Sequence, residues 1–396
     1  MMSEPIVRIA ARGDGVTASG RHAALAAPGD LLYDDGTIEP GPGRQDPPCR
    51  HFPTCGGCQL QHLTDPAYAA YCEQRIAGAL AQHGIETIIR PALLSPPKTR
   101  RRASLHALRL GGGVSIGFHE GQSKRIVDLR ECHVLAPELF ALVEPLRKLV
   151  GPMMRPKRAA TIQLTLADQG VDVALAGVEA EGLAAAEGLT RFGERFKLAR
   201  LSLDEGYGAE VRYEPVPATV TLSGIPVALP VGAFLQATRD GEAALVAGVR
   251  EATVGAVHIA DFFSGLGTFA LALDGDVTAA EASREAILCL KAAATRAGRP
   301  VTAAHHDLYR NPYQPAELTG FDAVVLDPPR AGAHEQVSAL AASGVARIAY
   351  VSCNPATFAR DAETLAKGGY KPMWVQPVGQ FRWSTHIELV SAFSRA

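Results

Sequence analysis

No run of apolar residues in this 396-residue chain approaches the ~20 needed to cross a bilayer, and its start, "MMSEPIVRIAARGDG", lacks the basic-then-apolar order of an export leader. The cytoplasm is therefore the expected compartment, with no membrane association. Neither sign of charge is in excess: the formal net charge of −2 gives no support to binding a polyanion, so only a local patch could do so. There is no internal repeat and no long low-complexity tract. With 47% hydrophobic and 20% charged residues, the composition is that of a globular enzyme rather than of a disordered or fibrous chain. At roughly 100 to 200 residues per domain, two or three domains are expected. Seven cysteines without an export signal argue against a disulfide framework, because cytosolic reductants keep thiols reduced. Metal binding and catalysis remain as their uses.

Residues 1–45 are short β-like pieces broken by glycines, followed by the Pro/Gly-rich "EPGPGRQDPP". Residues 46–84 hold a cysteine cluster and then an Ala-rich helical pattern that opens at Asp65-Pro66 and stops at Gly84. Residues 85–215 alternate like an antiparallel sheet with helical inserts, an α+β middle domain. The last domain, 216–396, has another character. From Val257 onward "VHIADFF", "DVTAAEAS", "PVTAAHHD", "FDAVVLDPP", "RIAYVSCNP", "YKPMWVQPV" and "IELVSAFSR" alternate with helical segments, which predicts an α/β fold with a mostly parallel sheet covered on both faces. Ligands of such sheets sit beyond the carboxyl ends of the strands.

Several motifs fall on that edge. In "VHIADFFSGLGTFALALD" a strand ends at Asp261, a Gly-rich turn follows, and a helix is expected from about Thr268. Glu281 and Asp307 end the next two strands. Three strand-end acids, with no basic residue in the glycine loop to meet phosphate charge, fit an adenosyl ligand better than a pyrophosphate. "VVLDPPRAGA" ends the fourth strand in Asp327, Pro328, Pro329 and Arg330, a rim held extended by its prolines. "YVSCNP" puts the thiol of Cys353 at the end of the fifth strand, as a packed hydrophobe or a nucleophile. Glu388 interrupts the apolar last strand, where burial would raise its pKa and make it a proton acceptor. Elsewhere, "CRHFPTCGGCQLQHL" sets Cys49, Cys55 and Cys58 close together, and Cys132 is the best fourth ligand. Four thiolates suit zinc or a 4Fe-4S cluster, and spacing does not choose. Cys72, inside the Ala-rich helix, reads as packing. "KTRRRASLHALR" concentrates Lys98, Arg100, Arg101 and Arg102, with Arg155, Lys157 and Arg158 further on, as a candidate phosphate-backbone contact.

In order, the cysteine cluster, "RRRA", "VGAFLQ", "DFFSGLGTF", "LDPPRAG", "YVSCNP" and "HIELV" resemble the RNA uracil-5-methyltransferase family, from about residue 45 to the end of the chain. The resemblance implies a Rossmann-like class I methyltransferase domain with a parallel-rich seven-stranded sheet, an inserted α+β middle domain, and S-adenosylmethionine as methyl donor. It implies Cys353 as nucleophile and Glu388 as base, with Gln236, Phe263, Thr268, Glu281 and Asp327 lining the donor and uracil site and Asp307 on the adenine side. Cys49, Cys55, Cys58 and Cys132 resemble the cysteines that hold a 4Fe-4S centre in the ribosomal-RNA branch. That favours 23S rRNA as partner over transfer RNA, with a transfer-RNA uridine-54 enzyme or an inactive RNA-binding relative as alternatives. A monomer is expected. Two departures stand out: the N-terminal segment resembles a TRAM module too short for its complete barrel, and Thr268 stands where relatives often carry Asn.

Overall fold

The computed structural model describes residues 2–111 and 113–395. The runs read as strands of the last domain form one sheet, in the spatial order Val301–His305, Asp276–Glu281, His258–Phe262, Ala323–Leu326, Arg347–Ser352, Glu388–Arg395, Tyr370–Gly379. The first five are mutually parallel; Glu388–Arg395 runs antiparallel to both its neighbours. Alternate strand residues face opposite layers. Ile259, Val325 and Val351 pack with Leu245 and Leu290 of helices Arg239–Ala252 and Arg284–Arg296. Ala260, Phe262 and Tyr350 pack with Val337 and Phe358 of helices His334–Ala341 and Pro355–Lys367. This is a doubly wound Rossmann-like sheet. Its strand order reverses between His258–Phe262 and Ala323–Leu326, which opens a crevice there.

The sheet has nine strands rather than seven. Ile88–Ile89 and Leu93–Leu94 add in parallel to its Tyr370–Gly379 edge. Two-residue strands carry too short an alternation to be read from sequence, so the segment expected to open the middle domain belongs with the catalytic sheet. The same holds for helix Asp65–Gln82, capped by Thr64, whose Tyr68, Tyr71 and Ile76 are buried in the catalytic core. The middle unit is a six-stranded sheet running from Arg102–Leu110 to Ala209–Tyr213, with helices Val143–Met153 and Gly182–Arg195 in its core. It is antiparallel except where Gly170–Ala176 meets Arg200–Asp204, and the long connection between those two strands contains the helix that a parallel crossover requires.

At the N-terminus, Ser3–Ile9, Gly15–Thr17, His22–Ala23, Leu31–Tyr33 and Ile38–Glu39 make a five-stranded sheet. Its fully buried Asp30 accepts from the backbone of Ala27 and Gly41, each at 2.7 Å, and pairs with Arg44. The expected helix at Thr268 is absent: residues 265–272 form successive turns. Gly265 and Gly267 have positive φ, and the turns close through Gly267 N to Ser264 O and Leu271 N to Gly267 O.

Candidate active site

The sheet brings the strand-end residues to one edge. Because Glu388–Arg395 is antiparallel, its first residue lies at the carboxyl ends of the others. Leu389 pairs with Ser352, which sets Glu388 beside Cys353. The polypeptide past Cys353 is held by Asn354, which caps helix Pro355–Lys367 and donates its side-chain N–H to the Arg330 carbonyl at 3.1 Å. The Asp-Pro-Pro-Arg rim and the thiol are thereby tied together.

Burial dominates the electrostatics here. Asp261 is fully buried and its carboxyl is pushed well above the usual range, by loss of solvent first and by Asp327 next. Asp327, at the base of the crevice, is pushed up to about 7 by burial. Glu388 is pushed up to about 8, by burial and then by the Asp327 charge, with Gln380 and Arg330 pulling the other way. Burial, then Glu388 and Asp327, push the Cys353 thiol up to about 11, and Arg330 opposes them. Such a cluster favours the entry of positive charge. Asp261 Oδ1 and Ser264 Oγ, among the described residues, are buried without a hydrogen-bond partner. They are free for polar groups of a ligand.

Among the other expected residues, Gln236 donates to Asp327 Oδ2 at 3.4 Å. Glu281 accepts from Gly265 N at 2.9 Å and Ser283 N at 2.6 Å, so it fixes the glycine turn as well as facing the crevice edge. Phe263 has φ 62°, an uncommon conformation for a bulky residue, and packs on Tyr309 with centroids 5.5 Å apart. Thr268 lies half-buried in the turn that follows. Asp307 is further out: it accepts from Tyr309 N at 3.0 Å and pairs with Arg310 at 3.4 Å. Gln380 was not anticipated. It donates to Gln236 Oε1 at 2.7 Å, accepts from Ala237 N at 2.8 Å and opposes the upward push on the Glu388 carboxyl. Its place just after a strand of the catalytic sheet was the available signal.

The second expected site is a cavity lined by Cys49, Cys55, Cys58 and Cys132 together with Phe52, Phe118 and Leu129. The segment bearing the first three is stitched to the loop bearing the fourth, through Arg50 N to Glu131 at 2.5 Å and Arg130 N to His51 Nε2 at 3.0 Å. All four thiols are free, and burial pushes each of them up, Cys58 to about 12. Among the described residues, no group of three or more His, Cys, Asp or Glu is placed to hold a single metal ion. No helix is long and apolar enough to cross a membrane, among the same residues.

Sheet order, glycine turn and strand-end acids define a Rossmann-like methyltransferase. Over 99% of both chains the fold matches the Pyrococcus abyssi tRNA (uracil-54, C5)-methyltransferase solved with S-adenosyl-L-homocysteine, with a TM-score of 0.74 at 23% identity. A family model described as tRNA (Uracil-5-)-methyltransferase matches residues 315–395. The chain is 47% identical over 393 residues to an RNA methyltransferase of Zymomonas mobilis, covering 98% of this chain and 99% of that one. It is 32% identical over 392 residues to the 23S rRNA (uracil(1939)-C(5))-methyltransferase of Thiobacillus denitrificans, covering 90% of this chain and 87% of that protein. The chain belongs to the RNA uracil-5-methyltransferase family, and is an S-adenosylmethionine-dependent RNA methyltransferase of the uracil-5 type.

Proposed function

We propose that this enzyme methylates C5 of a uridine in 23S rRNA through a covalent bond from Cys353 to C6. The observation that carries the reading is the placement of Cys353 beside Glu388 at the crevice edge, enforced by the Ser352–Leu389 register. C5 of uracil is a poor nucleophile; addition of the Cys353 thiolate at C6 pushes electron density onto it. S-adenosylmethionine, when bound, supplies an electrophilic methyl group carried on a sulfonium. The C5–H proton then passes to a Glu388 carboxylate oxygen, and the electron pair left behind re-forms the C5–C6 double bond as the Cys353 sulfur departs. Burial and the neighbouring acids favour the protonated thiol and the protonated carboxyl. Positive charge brought in, beside Arg330, favours the thiolate and the carboxylate that the chemistry needs. Gln236, Phe263, Thr268, Glu281, Asp307 and Asp327 would hold the donor and orient the pyrimidine, with Asp327 in the place of a uracil N–H acceptor. The target must be single-stranded or flipped out, at a cost of roughly a few kcal/mol.

We also propose that the four cysteines hold a 4Fe-4S cluster, and the chain's own residues fit it. The donor set is four thiols around one apolar cavity. Arg100, stripped of solvent, lies near enough to Cys58 and Cys132 to complement an anionic centre. Trp383 packs against Cys58, and its indole N–H is buried without a partner among the described residues, as a donor to sulfur would be. Four thiols also suit zinc. A cluster held there would tie residues 49–58 to the 130s loop. Iron and sulfide analysis of anaerobically purified protein should return about four of each per chain; zinc instead would overturn the assignment. The relative that acts on 23S rRNA supports the substrate.

The test is incubation with S-adenosylmethionine and the host's 23S rRNA transcribed with 5-fluorouridine. With fluorine at C5 no proton can leave, so the sulfur stays on the RNA. A denaturation-resistant complex whose cross-linked peptide contains Cys353 is expected. A complex with transfer RNA alone would change the substrate; none with either would leave an RNA-binding protein without this chemistry.

A further inference from the structure

Beside the proposed active site, where the middle sheet meets the catalytic domain, lies a cleft of about 180 Å³ lined by Arg100, Arg102, Ser104, Gln163, Phe234 and Phe381. Its composition is unusual. Phe234 is 61% exposed, a large aromatic face left in solvent only two residues from Gln236, which bonds to Asp327. The Arg102 guanidinium lies 5.3 Å from its ring centroid, and Arg100 lies 5.4 Å from that of Phe381. Arg100 faces the cysteine cavity on its other side, but Arg102, among the described residues, has no carboxylate at ion-pair distance and is partly stripped of solvent with nothing opposing it. Elsewhere in the interface between these units the buried Arg101 is matched by Glu242. A desolvated cation without a counter-ion is costly and stands ready for an anion.

We infer that this cleft is a subsite for an RNA nucleotide next to the target uridine, its base stacked on Phe234 and its phosphate held by Arg102. An aromatic platform beside an unpaired guanidinium is the chemistry that single-stranded nucleic acid requires: the ring takes a base of any identity and the guanidinium takes the backbone. Gln163 and Ser104, on adjacent strands of the middle sheet, add polar groups that can reach a base edge or a 2′-hydroxyl. The placement gives the middle unit a purpose. It supplies the cationic wall of a cleft whose aromatic floor comes from the loop that carries Gln236. The inference rests on the reading of the crevice as an RNA-modifying site.

Fluorescence anisotropy with a labelled 12-nucleotide oligouridylate, and with its abasic counterpart, separates stacking from phosphate contact. Phe234→Ala should weaken the oligouridylate about tenfold to a hundredfold and leave the abasic strand unchanged, and Phe234→Tyr should restore wild-type affinity. Arg102→Gln should weaken both strands alike and lower the slope of log K against log salt by about one. Phe234 is exposed, so its variants should keep the wild-type melting temperature. Equal oligouridylate affinity in wild type, Phe234→Ala and Arg102→Gln overturns the subsite. The Cys353 adduct assay is independent of it. Loss of adduct with these binding effects intact would sink the catalytic reading alone, and an intact adduct without them would sink the subsite alone.

Discussion

Two buried charge clusters in this protein are built in opposite ways. Arg200, at 6% side-chain exposure, binds Asp172 with both prongs, Nε to Oδ1 at 2.9 Å and Nη2 to Oδ2 at 2.7 Å, and donates its remaining nitrogen to the Leu229 carbonyl at 2.8 Å. That cluster is complete. Asp261, Asp327 and Glu388 crowd together at the crevice with no cation at ion-pair distance among the described residues, and their carboxyls are all pushed up. The matched pair lies within the middle sheet, and the third bond of Arg200, to Leu229, ties that sheet to the segment leading into the catalytic domain. An unmatched set of acids costs stability, and its persistence at the carboxyl edge of the sheet marks a place where a ligand completes the arrangement.

The largest way to break the comparison is to remove the sulfur. Cys353→Ala should lower methyl transfer at least about a thousandfold, because among the described residues no other thiol lies at the crevice edge. It should also abolish the fluorouridine adduct, while RNA affinity and melting temperature stay near wild type. Single-turnover assays with labelled donor measure this directly. Glu388→Gln should slow turnover by about 10² to 10⁴. It differs in kind from the first variant: the Cys353 adduct should accumulate on ordinary uridine-containing RNA, since the C5 proton has nowhere to go. Absence of that accumulation would remove Glu388 from the role of base.

The complete cluster should respond in the reverse manner. Asp172→Asn leaves Arg200 buried with a weakened partner and only Glu214, at 3.5 Å, as counter-ion, and should cost about 3 kcal/mol of stability, read from denaturant midpoints. Protein that remains folded should keep its kcat. A fall in kcat with stability unchanged would mean that this pair acts on the chemistry rather than on the joint between units.

How much of this was legible beforehand follows from the physics of each element. The last seven strands stand out in the sequence because each is a short apolar run, most of them ending in polar or acidic residues, and a parallel sheet buried on both faces demands such runs. Asp327, Cys353 and Glu388 were recoverable because they interrupt apolar strands at their ends. Ile88–Ile89 and Leu93–Leu94 were not, since two residues show no period. The turns after Ser264 looked helical because Thr268-Phe-Ala-Leu-Ala-Leu is a good helical string; the positive φ of Gly265 and Gly267, and Asp261 accepting from Ala270 N at 2.9 Å, hold it in another path. Gln380 and Trp383 carry no motif of their own. Their importance comes from what the fold sets against them, Glu388 in one case and Cys58 in the other.

The smallest expected effect is also the most direct comparison of the two clusters. Glu388 would lose its proton near the ordinary value of 4.5 in the unfolded chain, but holds it to about 8 when folded. Between those limits the native state binds more protons than the unfolded state, so unfolding free energy falls as pH rises from about 4.5 to 8 and levels off above. Asp327, held to about 7, adds a decline in the same direction that ends sooner. Glu388→Gln removes the first contribution. The donor-free variant should therefore exceed wild type in stability at pH 8.5 by at least about 1 kcal/mol and match it near pH 4.5. Saturating S-adenosylmethionine should flatten the wild-type curve, because a cation in the crevice supplies what the acids lack. A variant equal to wild type at both pH values would mean that the Glu388 carboxylate already has its partner without the donor, and that the two clusters are alike after all.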